Sequence, residues 1–311
     1  MNIGLVCISE ILKAQNKQNA FQTMTRKRFN SLDRSIAIQQ LSSRILHNAE
    51  LTHEIIKHCA QNNIKHYRVS SNLFPLITDS SLGLSYGDLP NLAQICAVLF
   101  DAGATARKLG VSISSHPDQF NVLASFSQST VEKTIKELNH QSRVLDLMGC
   151  PQDYRTPMCL HLNLSFNSCK ETIEDYISRF INNFNMCDEG VRKRLVLENE
   201  DKGFWNAQNL YRYFGVFCPL VFDNLHDSCN PSQHCHFDLF KASWKHYKPV
   251  MHWSEGLPEK PRSHAAFVSH VPVLVRNNAD CIWEFELKSK DVGILKVLDS
   301  IGKRVKFDAL S

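Results

Sequence analysis

Short apolar runs that alternate with amphipathic helical patterns are the feature that most constrains how this chain folds. Eight runs have the length and composition of β-strands, at residues 3–9, 65–71, 111–116, 158–164, 194–200, 220–224, 250–255 and 281–287. Helical patterns lie at residues 51–63, 88–110, 129–149, 171–184, 206–215, 236–247, 264–277 and 291–303. Such alternation is typical of a parallel sheet covered by helices. Eight repeats predict an α/β fold of the (β/α)8 TIM-barrel type, and an open doubly wound sheet is the alternative.

The length of the chain agrees with that architecture. The 311 residues suffice for one barrel, so residues 1–311 are predicted to form a single domain. Eleven scattered cysteines include no Cys-x-x-Cys pair, which argues against a disulfide framework or a zinc ribbon and fits a reducing cytoplasm. The apolar start is interrupted by Glu10, and no run approaches the ~18 apolar residues of a membrane span. We therefore expect a cytoplasmic protein with no membrane partner.

Side chains of the metal-ligand type recur where the predicted strands end. Seven of them are His116, His161, Glu198, Asp223, His226, His252 and Glu286, and an eighth, His264, is predicted to open the helix after the seventh strand. In a barrel the carboxyl ends of all strands meet at one face, where active sites are built. Each residue alone has an ordinary explanation as a hydrogen-bonded core residue or a helix cap. Burying so many carboxylates and imidazoles together is costly, however, unless they pair or hold cations.

This set of ligands predicts a site for two or three divalent ions. Imidazole and carboxylate ligands suit Mn²⁺, Zn²⁺ or Fe²⁺. Clustered divalent ions are suited to the hydrolysis of phosphate esters, because they generate a nucleophilic water and stabilise the attacking and leaving oxygens. A sugar isomerase uses similar ligands, normally with fewer histidines, and remains an alternative at this point.

A basic segment is the candidate for contacts with a phosphate backbone. Residues 15–31 are predicted to be an irregular loop at the carboxyl face of the barrel, and they contain Arg26, Lys27 and Arg28. The net charge of +4 permits an anionic partner. Binding through these cations would weaken with salt. The alternative is that the segment is a solvated loop.

Several longer motifs resemble one known family. They are YRVSSNLFP (67–75), SSHPDQF (114–120), LHLNLSF (160–166), LENEDK (197–202), FDNLHDSCN (222–230), MHWSE (251–255) and FELKSK (285–290). In this order they resemble the UV damage endonucleases of the UvsE/UVDE type over nearly the whole chain. The resemblance implies a TIM barrel related to endonuclease IV that cuts the phosphodiester immediately 5′ to a UV photoproduct, either a cyclobutane pyrimidine dimer or a 6-4 photoproduct. It implies 3′-hydroxyl and 5′-phosphate products and a cluster of divalent metals, with Mn²⁺ expected and Zn²⁺, Mg²⁺ or Fe²⁺ as alternatives.

The resemblance also assigns roles to individual residues. The eight candidate ligands match the metal ligands of the family, and Glu198, Asp223 and Glu286 would act in catalysis through the bound metals. Gln119 and Phe120 match a Gln-Tyr pair that inserts into the duplex opposite the lesion, where a flat ring can stack in place of displaced bases. Without the resemblance, Phe120 would be interpreted as a core residue.

Some positions depart from the family pattern. Asp79 is the nearest counterpart of a further histidine, and an aspartate can bind the same ions. Val250 stands two residues before His252, where some members carry a lysine. Leu5 and Ser9 replace residues that are expected to help hold the lesion.

The implied partner is damaged double-stranded DNA, bound by a monomer. Three alternatives remain open on the sequence: an abasic-site endonuclease of the endonuclease IV kind, a xylose-isomerase-like sugar enzyme, and a lesion-binding protein that does not cut.

Overall fold

Eight parallel strands form a nearly closed barrel in a computed structural model, which describes the backbone of residues 1–308 and the side chains of residues 1–301. The strands of the barrel are β1 (Asn2–Val6), β2 (His66–Val69), β3 (Ser112–Ser115), β4 (Met158–Leu160), β5 (Leu195–Glu198), β6 (Leu220–Val221), β7 (Val250–Trp253) and β10 (Ile282–Phe285). A hairpin of β8 (Gly256–Leu257) and β9 (Lys260–His264) stands apart from it. The predicted barrel is thereby confirmed, and residues 309–311 of the predicted single domain lie outside the described residues.

Helices follow the strands and cover the outside of the barrel. They are α1 (Glu10–Gln15), α2 (Arg26–Asn30), α3 (Arg34–Gln61), α4 (Leu92–Leu109), α5 (Gln128–Leu147), α6 (Ile173–Asn185), α7 (Glu189–Arg194), α8 (Ala207–Phe214), α9 (Asn224–Cys229), α10 (Phe237–Ser243), α11 (Val273–Asn277) and α12 (Lys290–Asp308). Single 3₁₀ turns span Ser71–Leu73 and Tyr86–Asp88. Within the part of the chain described here, no helix is both long and apolar enough to traverse a bilayer.

Helix α6 packs through one apolar stripe. In α6 the buried residues are Tyr176, Phe180 and Phe184, which recur every four positions and therefore share one face. The helix begins at a capping box, in which Thr172 and Asp175 exchange hydrogen bonds with each other's backbone. Helices of this kind bury their apolar face on the sheet, so the hydrophobic core lies between the strands and the helices.

The inside of the barrel, in contrast, is polar in its central layer. His66 and Arg68 of β2 and Glu284 of β10 are buried there and contact one another. Gly4 of β1 makes room for them, because a Cβ at this position would lie 2.8 Å from Cδ2 of His66. Strand periodicity of two sends Ile3 and Leu5 to the other face, into the hydrophobic core.

The closure of the barrel is weak on one side. β6 and β7 are joined by a single parallel bridge between Asp223 and His252, and the amide of His252 donates to the carbonyl of Phe222 at 3.0 Å. β6 has only two residues, because Asp223 leaves the strand to cap α9. The strand predicted at residues 220–224 is accordingly too long.

Two further predictions about local structure are wrong. His264 does not open a helix, since it ends β9 of the hairpin, and only Val273–Asn277 of the predicted helix 264–277 is helical. The predicted loop 15–31 is not wholly irregular, because Thr25 caps the short helix α2 through a hydrogen bond from the amide of Arg28. Arg26, Lys27 and Arg28 are therefore presented by one turn of helix.

Candidate active site

Glu198 is the centre of the polar cluster at the carboxyl end of the barrel. It ends β5 with 1% of its side chain exposed. Its Oε2 lies 2.9 Å from Nε2 of His116 and 3.3 Å from Nε2 of His161. Its Oε1 lies 3.1 Å from Nδ1 of His226 and 3.0 Å from Nδ1 of His252. One carboxylate thus faces four imidazoles, two on each oxygen, which is an arrangement suited to bridging two cations.

Asp223 and His226 are held together by a helix cap. Oδ1 of Asp223 accepts a hydrogen bond from the amide of His226 at 2.8 Å and so starts α9. The spacing of three residues between them is the spacing that this cap requires. The other oxygen, Oδ2, is completely buried and has no hydrogen-bond partner among the residues that the structure describes, and it lies 3.8 Å from Nδ1 of His252. One oxygen is therefore structural and the other points into the cluster.

Glu286 and His264 form the outer side of the cluster. Nε2 of His264 lies 3.5 Å from Oε2 of Glu286, and Nδ1 of His252 lies 3.8 Å from its Oε1. Nδ1 of His264 is hydrogen-bonded to the hydroxyl of Ser254 at 2.9 Å, which leaves Nε2 for the cluster. His264 is 33% exposed and is the most open of the eight candidate ligands. The β8–β9 hairpin therefore brings it to the rim.

A buried layer lies directly beneath the cluster. Glu284 accepts hydrogen bonds from His66 at 2.9 Å, from Arg68 at 2.9 Å and from Ser114 at 2.5 Å. Arg68 also contacts Glu286, at 2.5 Å. Nε2 of His252 is 3.2 Å from Glu284, although the direction is poor for a hydrogen bond. His252 thus faces this layer with Nε2 and the carboxylate of Glu198 with Nδ1.

The electrostatics of the cluster fit divalent cations. Burial raises the pKa of Asp223, and the charges of Glu198 and Glu286 add to that effect. Burial lowers the pKa of His161 to about 4. Burial also opposes a charge on His226, but the carboxylates of Asp223 and Glu198 outweigh it and raise its pKa to about 11. In the metal-free protein, a proton on His226 thus compensates part of the charge of the buried carboxylates, and a divalent cation would replace it.

Within the described part of the chain, four overlapping groups of side chains are close enough together to hold an ion. They are His116, Cys159 and Glu198; His161, Glu198 and His226; Glu198, Asp223 and His252; and His252, Glu284 and Glu286, with the donor atoms of each group within 4.8 Å of one another. The unpartnered Oδ2 of Asp223 and Nδ1 of His252 are the atoms that such an ion would satisfy. The residues present therefore fit a metal cluster.

Gln119 and Phe120, the residues predicted to insert into the duplex as a wedge, lie on the loop after β3 and are exposed to solvent. Phe120 is 77% exposed, and its amide donates to Oδ1 of Asp118 at 2.9 Å in a tight turn that also exposes Gln119. The interpretation of Phe120 as a core residue is therefore wrong. An open cleft of about 630 Å³ runs beside this turn, and Phe120, Asp118, Phe74 and Asp79 contribute to its walls.

Asp79 lies in that cleft and has a partner there. Its Oδ2 lies 2.7 Å from Nε of Arg26, and its Oδ1 accepts from the hydroxyl of Ser81 at 2.6 Å. Among the described residues it belongs to none of the four groups that could hold an ion. Lys27 and Arg28 are exposed next to Arg26. Arg26 is thus a paired cation, whereas its two neighbours project into solvent.

The other three residues that depart from the family pattern, Leu5, Ser9 and Val250, are buried in the protein. Leu5 is completely buried in the hydrophobic core, and Val250 is 3% exposed in β7. Ser9 is 3% exposed; its hydroxyl caps α1 and is hydrogen-bonded to Asp291. None of the three side chains is open to a bound lesion.

Sequence analysis missed four residues of the cluster and its supporting layer: His66, Arg68, Cys159 and Glu284. Strand periodicity could have identified them, because residues two positions apart on a strand share a face. Three such pairs occur in the sequence: His66 with Arg68, Cys159 with His161, and Glu284 with Glu286. His66 lies in β2 and is completely buried.

Comparison with known proteins identifies the family. A family model described as UV-endonuclease UvdE matches residues 1–310. A UV DNA damage endonuclease from Nostoc sp. is 29% identical over 304 residues, covering 94% of this chain and 88% of the relative. The solved structure of SacUVDE matches with a TM-score of 0.79 and 26% identity, covering 98% of this chain and 99% of that chain.

A xylose isomerase domain protein from Planctomyces limnophilus matches with a TM-score of 0.51 and 11% identity, covering 81% of this chain and 92% of that chain. At that identity the likeness extends to the barrel fold alone. The family model, in contrast, spans nearly the whole chain. The chain therefore belongs to the UV-endonuclease UvdE family and is an enzyme of the endonuclease class.

Proposed function

We propose that this enzyme repairs UV-damaged double-stranded DNA by cutting the phosphodiester immediately 5′ to a cyclobutane pyrimidine dimer or 6-4 photoproduct. The products would be a 3′-hydroxyl and a 5′-phosphate. The observation that carries the proposal is Glu198, one buried carboxylate that faces four imidazoles at the mouth of the barrel.

The proposed ligands are the eight side chains that sequence analysis selected: His116, His161, Glu198, Asp223, His226, His252, His264 and Glu286. Divalent ions bound there, of which Mn²⁺ is the proposed main species, would lower the pKa of a nucleophilic water and stabilise the attacking and leaving oxygens. Glu198, Asp223 and Glu286 contribute the negative charge that retains the ions. The layer of Glu284, His66 and Arg68 holds the ligands in place, as partners behind metal ligands commonly do.

Recognition of damage is assigned to the loop after β3. Phe120 is an exposed flat ring on a hydrogen-bonded turn, and it can stack into a duplex whose damaged bases have left the helix. A photodimer is already weakly stacked, so its displacement costs less free energy than that of an intact pair. Gln119 would reach the bases opposite the lesion from the same turn.

Backbone phosphates would be contacted by Arg26, Lys27 and Arg28. All three are exposed on the first turn of α2, and Arg26 lies at the cleft beside Phe120. Since all proposed ligands come from one chain, a monomer is proposed to be the active form. The eleven free cysteines suit action in the reducing cytoplasm.

A nicking assay on three matched duplexes tests the proposal. Each duplex carries an end label, and they differ only in having one thymine dimer, one abasic site or no lesion. With Mn²⁺ present we expect one cut directly 5′ to the dimer, no cut in the undamaged duplex, and no product when EDTA is added. Cutting of the abasic duplex alone would contradict the proposed substrate, and metal-loaded protein that cuts none of the three would contradict the endonuclease activity.

A further inference from the structure

Cys159 lies inside the candidate metal cluster rather than beside it. It belongs to β4, two residues before His161, and therefore faces the interior of the barrel as His161 does. Only 5% of the residue is exposed. Its Sγ lies 3.3 Å from Oε2 of Glu198 and within 4.8 Å of a ring nitrogen of His116. The thiol thus shares one carboxylate oxygen with an imidazole.

The spacing of Sγ of Cys159 and Oε2 of Glu198 is close to that of two ligands on one ion. A tetrahedral Zn²⁺ with sulphur at about 2.3 Å and oxygen at about 2.0–2.2 Å separates the two donors by about 3.5 Å. The observed separation between Sγ and Oε2 is 3.3 Å, and Oε2 lies 2.9 Å from Nε2 of His116. Nδ1 of His116 is hydrogen-bonded to the carbonyl of Pro117 at 3.0 Å, so Nε2 is the nitrogen available to an ion.

A second observation indicates that this part of the barrel receives cations. Among the described residues, Oδ2 of Asp223 and Nδ1 of His252 are buried without a hydrogen-bond partner, and with Glu198 they form one of the groups whose donor atoms lie within 4.8 Å of one another. The thiol of Cys159 contacts Oε2 of Glu198, whereas Nδ1 of His252 contacts Oε1. Glu198 therefore separates a position with a sulphur ligand from positions with oxygen and nitrogen ligands only.

We propose that Cys159 is a metal ligand, and that with His116 and Glu198 it forms a position for a thiophilic ion of the Zn²⁺ type. Thiolate ligands favour Zn²⁺ over Mn²⁺, whereas carboxylates without sulphur suit Mn²⁺. The cluster is then mixed, with Zn²⁺ at the Cys159 position and Mn²⁺ at the positions around Asp223 and Glu286. This inference rests on the proposed metal cluster and deepens it.

Binding of Co²⁺ tests this assignment directly. A thiolate bound to Co²⁺ gives a charge-transfer absorption in the near ultraviolet, which oxygen and nitrogen ligands do not give. We expect this absorption when metal-free protein receives one equivalent of Co²⁺, and we expect its loss in both Cys159→Val and Cys159→Ser. Cys235→Ser is the control, because Cys235 is an exposed thiol between two histidines and, among the described residues, belongs to none of the four groups that could hold an ion. Its absorption should match that of the wild type.

A competition between Zn²⁺ and Mn²⁺ gives the second readout. Metal content after equilibration with both ions should show one Zn²⁺ retained per wild-type chain, and the preference for Zn²⁺ should fall roughly 10- to 100-fold in Cys159→Val. Absorption that persists in both Cys159 variants, or an unchanged preference, would overturn the proposal and leave Cys159 as a weak hydrogen-bond donor to Glu198.

X-ray absorption on the wild type needs no variant and covers the case in which substitutions at Cys159 impair folding. Protein loaded with one Zn²⁺ should have a sulphur neighbour at about 2.3 Å, and a shell of nitrogen and oxygen alone would contradict the proposal. None of the three measurements, which are Co²⁺ absorption, competition between Zn²⁺ and Mn²⁺, and X-ray absorption, depends on the cutting of DNA. If the protein binds an ion through sulphur but cuts no duplex, the proposed function is refuted and the assignment of Cys159 stands. If the protein cuts with Mn²⁺ but has no sulphur ligand, the proposed function stands and the assignment of Cys159 is refuted.

Discussion

Asp223 and His252 form the backbone bridge that joins the two ends of the barrel sheet, and their side chains meet in the candidate metal site. This bridge pairs the end of β6 with β7, and Oδ2 of Asp223 lies 3.8 Å from Nδ1 of His252. An ion bound between these atoms would therefore hold the barrel closed where the sheet is weakest. We expect metal binding to stabilise the fold as well as to support catalysis.

The substitution Asp223→Asn tests this coupling. The amide oxygen of Asn can still accept from the amide of His226 and cap α9, but the buried charge is lost. The metal-free variant should unfold at the same temperature as the wild type or at a higher one, because a desolvated carboxylate near Glu198 and Glu286 has been neutralised. Cutting should fall at least about 100-fold.

Thermal unfolding of both proteins, with EDTA and with Mn²⁺, measures the effect. Mn²⁺ at 100 times its dissociation constant should stabilise the wild type by about 2.7 kcal/mol and should stabilise Asp223→Asn far less. Asp238→Asn, an exposed position on α10, is the control and should respond to Mn²⁺ as the wild type does. An equal response in Asp223→Asn would remove Asp223 from the set of ligands.

Phe120→Ala should reduce the preference for damaged DNA without destabilising the protein. The ring is 77% exposed, so its removal costs little folding free energy, but base stacking is worth about 1–3 kcal/mol per aromatic ring. We expect the ratio of cutting rates on dimer-containing and undamaged duplex to fall about tenfold, with bound metal unchanged.

Phe126→Ala is the matched control for that loop, because Phe126 is 61% exposed but its ring already stacks on Arg179, with 4.0 Å between the ring centre and the guanidinium carbon. A loss of discrimination as large in Phe126→Ala as in Phe120→Ala would argue against a specific wedge.

The salt dependence of DNA binding should report the cations of α2. Lys27 and Arg28 are exposed, whereas Arg26 is paired with Asp79. Each phosphate contact that is lost lowers the slope of log affinity against log salt by about 1. The double variant Lys27→Gln, Arg28→Gln should lower the slope by up to about 2, while Asp79→Asn should raise the affinity because it releases Arg26. Binding curves at three salt concentrations decide this, and an unchanged slope in the double variant would exclude α2 from the interface.

His140 should make the metal-free protein less stable in mild acid. Burial lowers the pKa of His140 to about 4, and its Nδ1 is hydrogen-bonded to the hydroxyl of Tyr86 at 2.7 Å. The unfolded chain takes up a proton near pH 6.5, so the folded state loses stability, on the order of 2 kcal/mol, as the pH falls from about 6.5 to about 4.

His140→Gln keeps a hydrogen-bonding group for Tyr86 and does not titrate. Urea unfolding with EDTA at pH 7 and at pH 5 should therefore give a smaller difference in stability for the variant than for the wild type. If the free energy of unfolding falls by the same amount between pH 7 and pH 5 in the variant and in the wild type, protonation of His140 does not cause the loss of stability in acid.

Much of the site was predictable because barrel geometry converts strand ends into neighbours. His116, Glu198, Asp223, His252 and Glu286 lie near the ends of separate strands, and the fold brings them to one face without any knowledge of their contacts. Their ligand roles remain predictions. The sequence could not show that Glu198 lies at the centre of the cluster. Its central position depends on how far β5 extends along the barrel axis compared with the neighbouring strands.

The errors have a common physical source. His264 was placed on a helix because local apolar spacing is ambiguous over a few residues, whereas its position is set by the β8–β9 hairpin. Phe120 could not be assigned from its own chemistry, since an apolar ring is normally buried and its exposure depends on the turn around Asp118. Glu284 and Arg68 were overlooked because they lie one layer below the strand ends, where their mutual pairing makes buried charge tolerable.

The most direct test of the account is the cutting rate of Glu198→Gln on a duplex with one thymine dimer, measured together with its bound metal under single-turnover conditions. Glu200→Gln is the control, because this neighbouring carboxylate accepts from the amide of Asn163 at 2.6 Å, a bond that glutamine can keep. We predict that Glu198→Gln loses bound metal and cuts at least about 100-fold more slowly, while Glu200→Gln cuts as the wild type does. A Glu198→Gln variant that binds metal and cuts 5′ to the dimer at the wild-type rate would contradict the account.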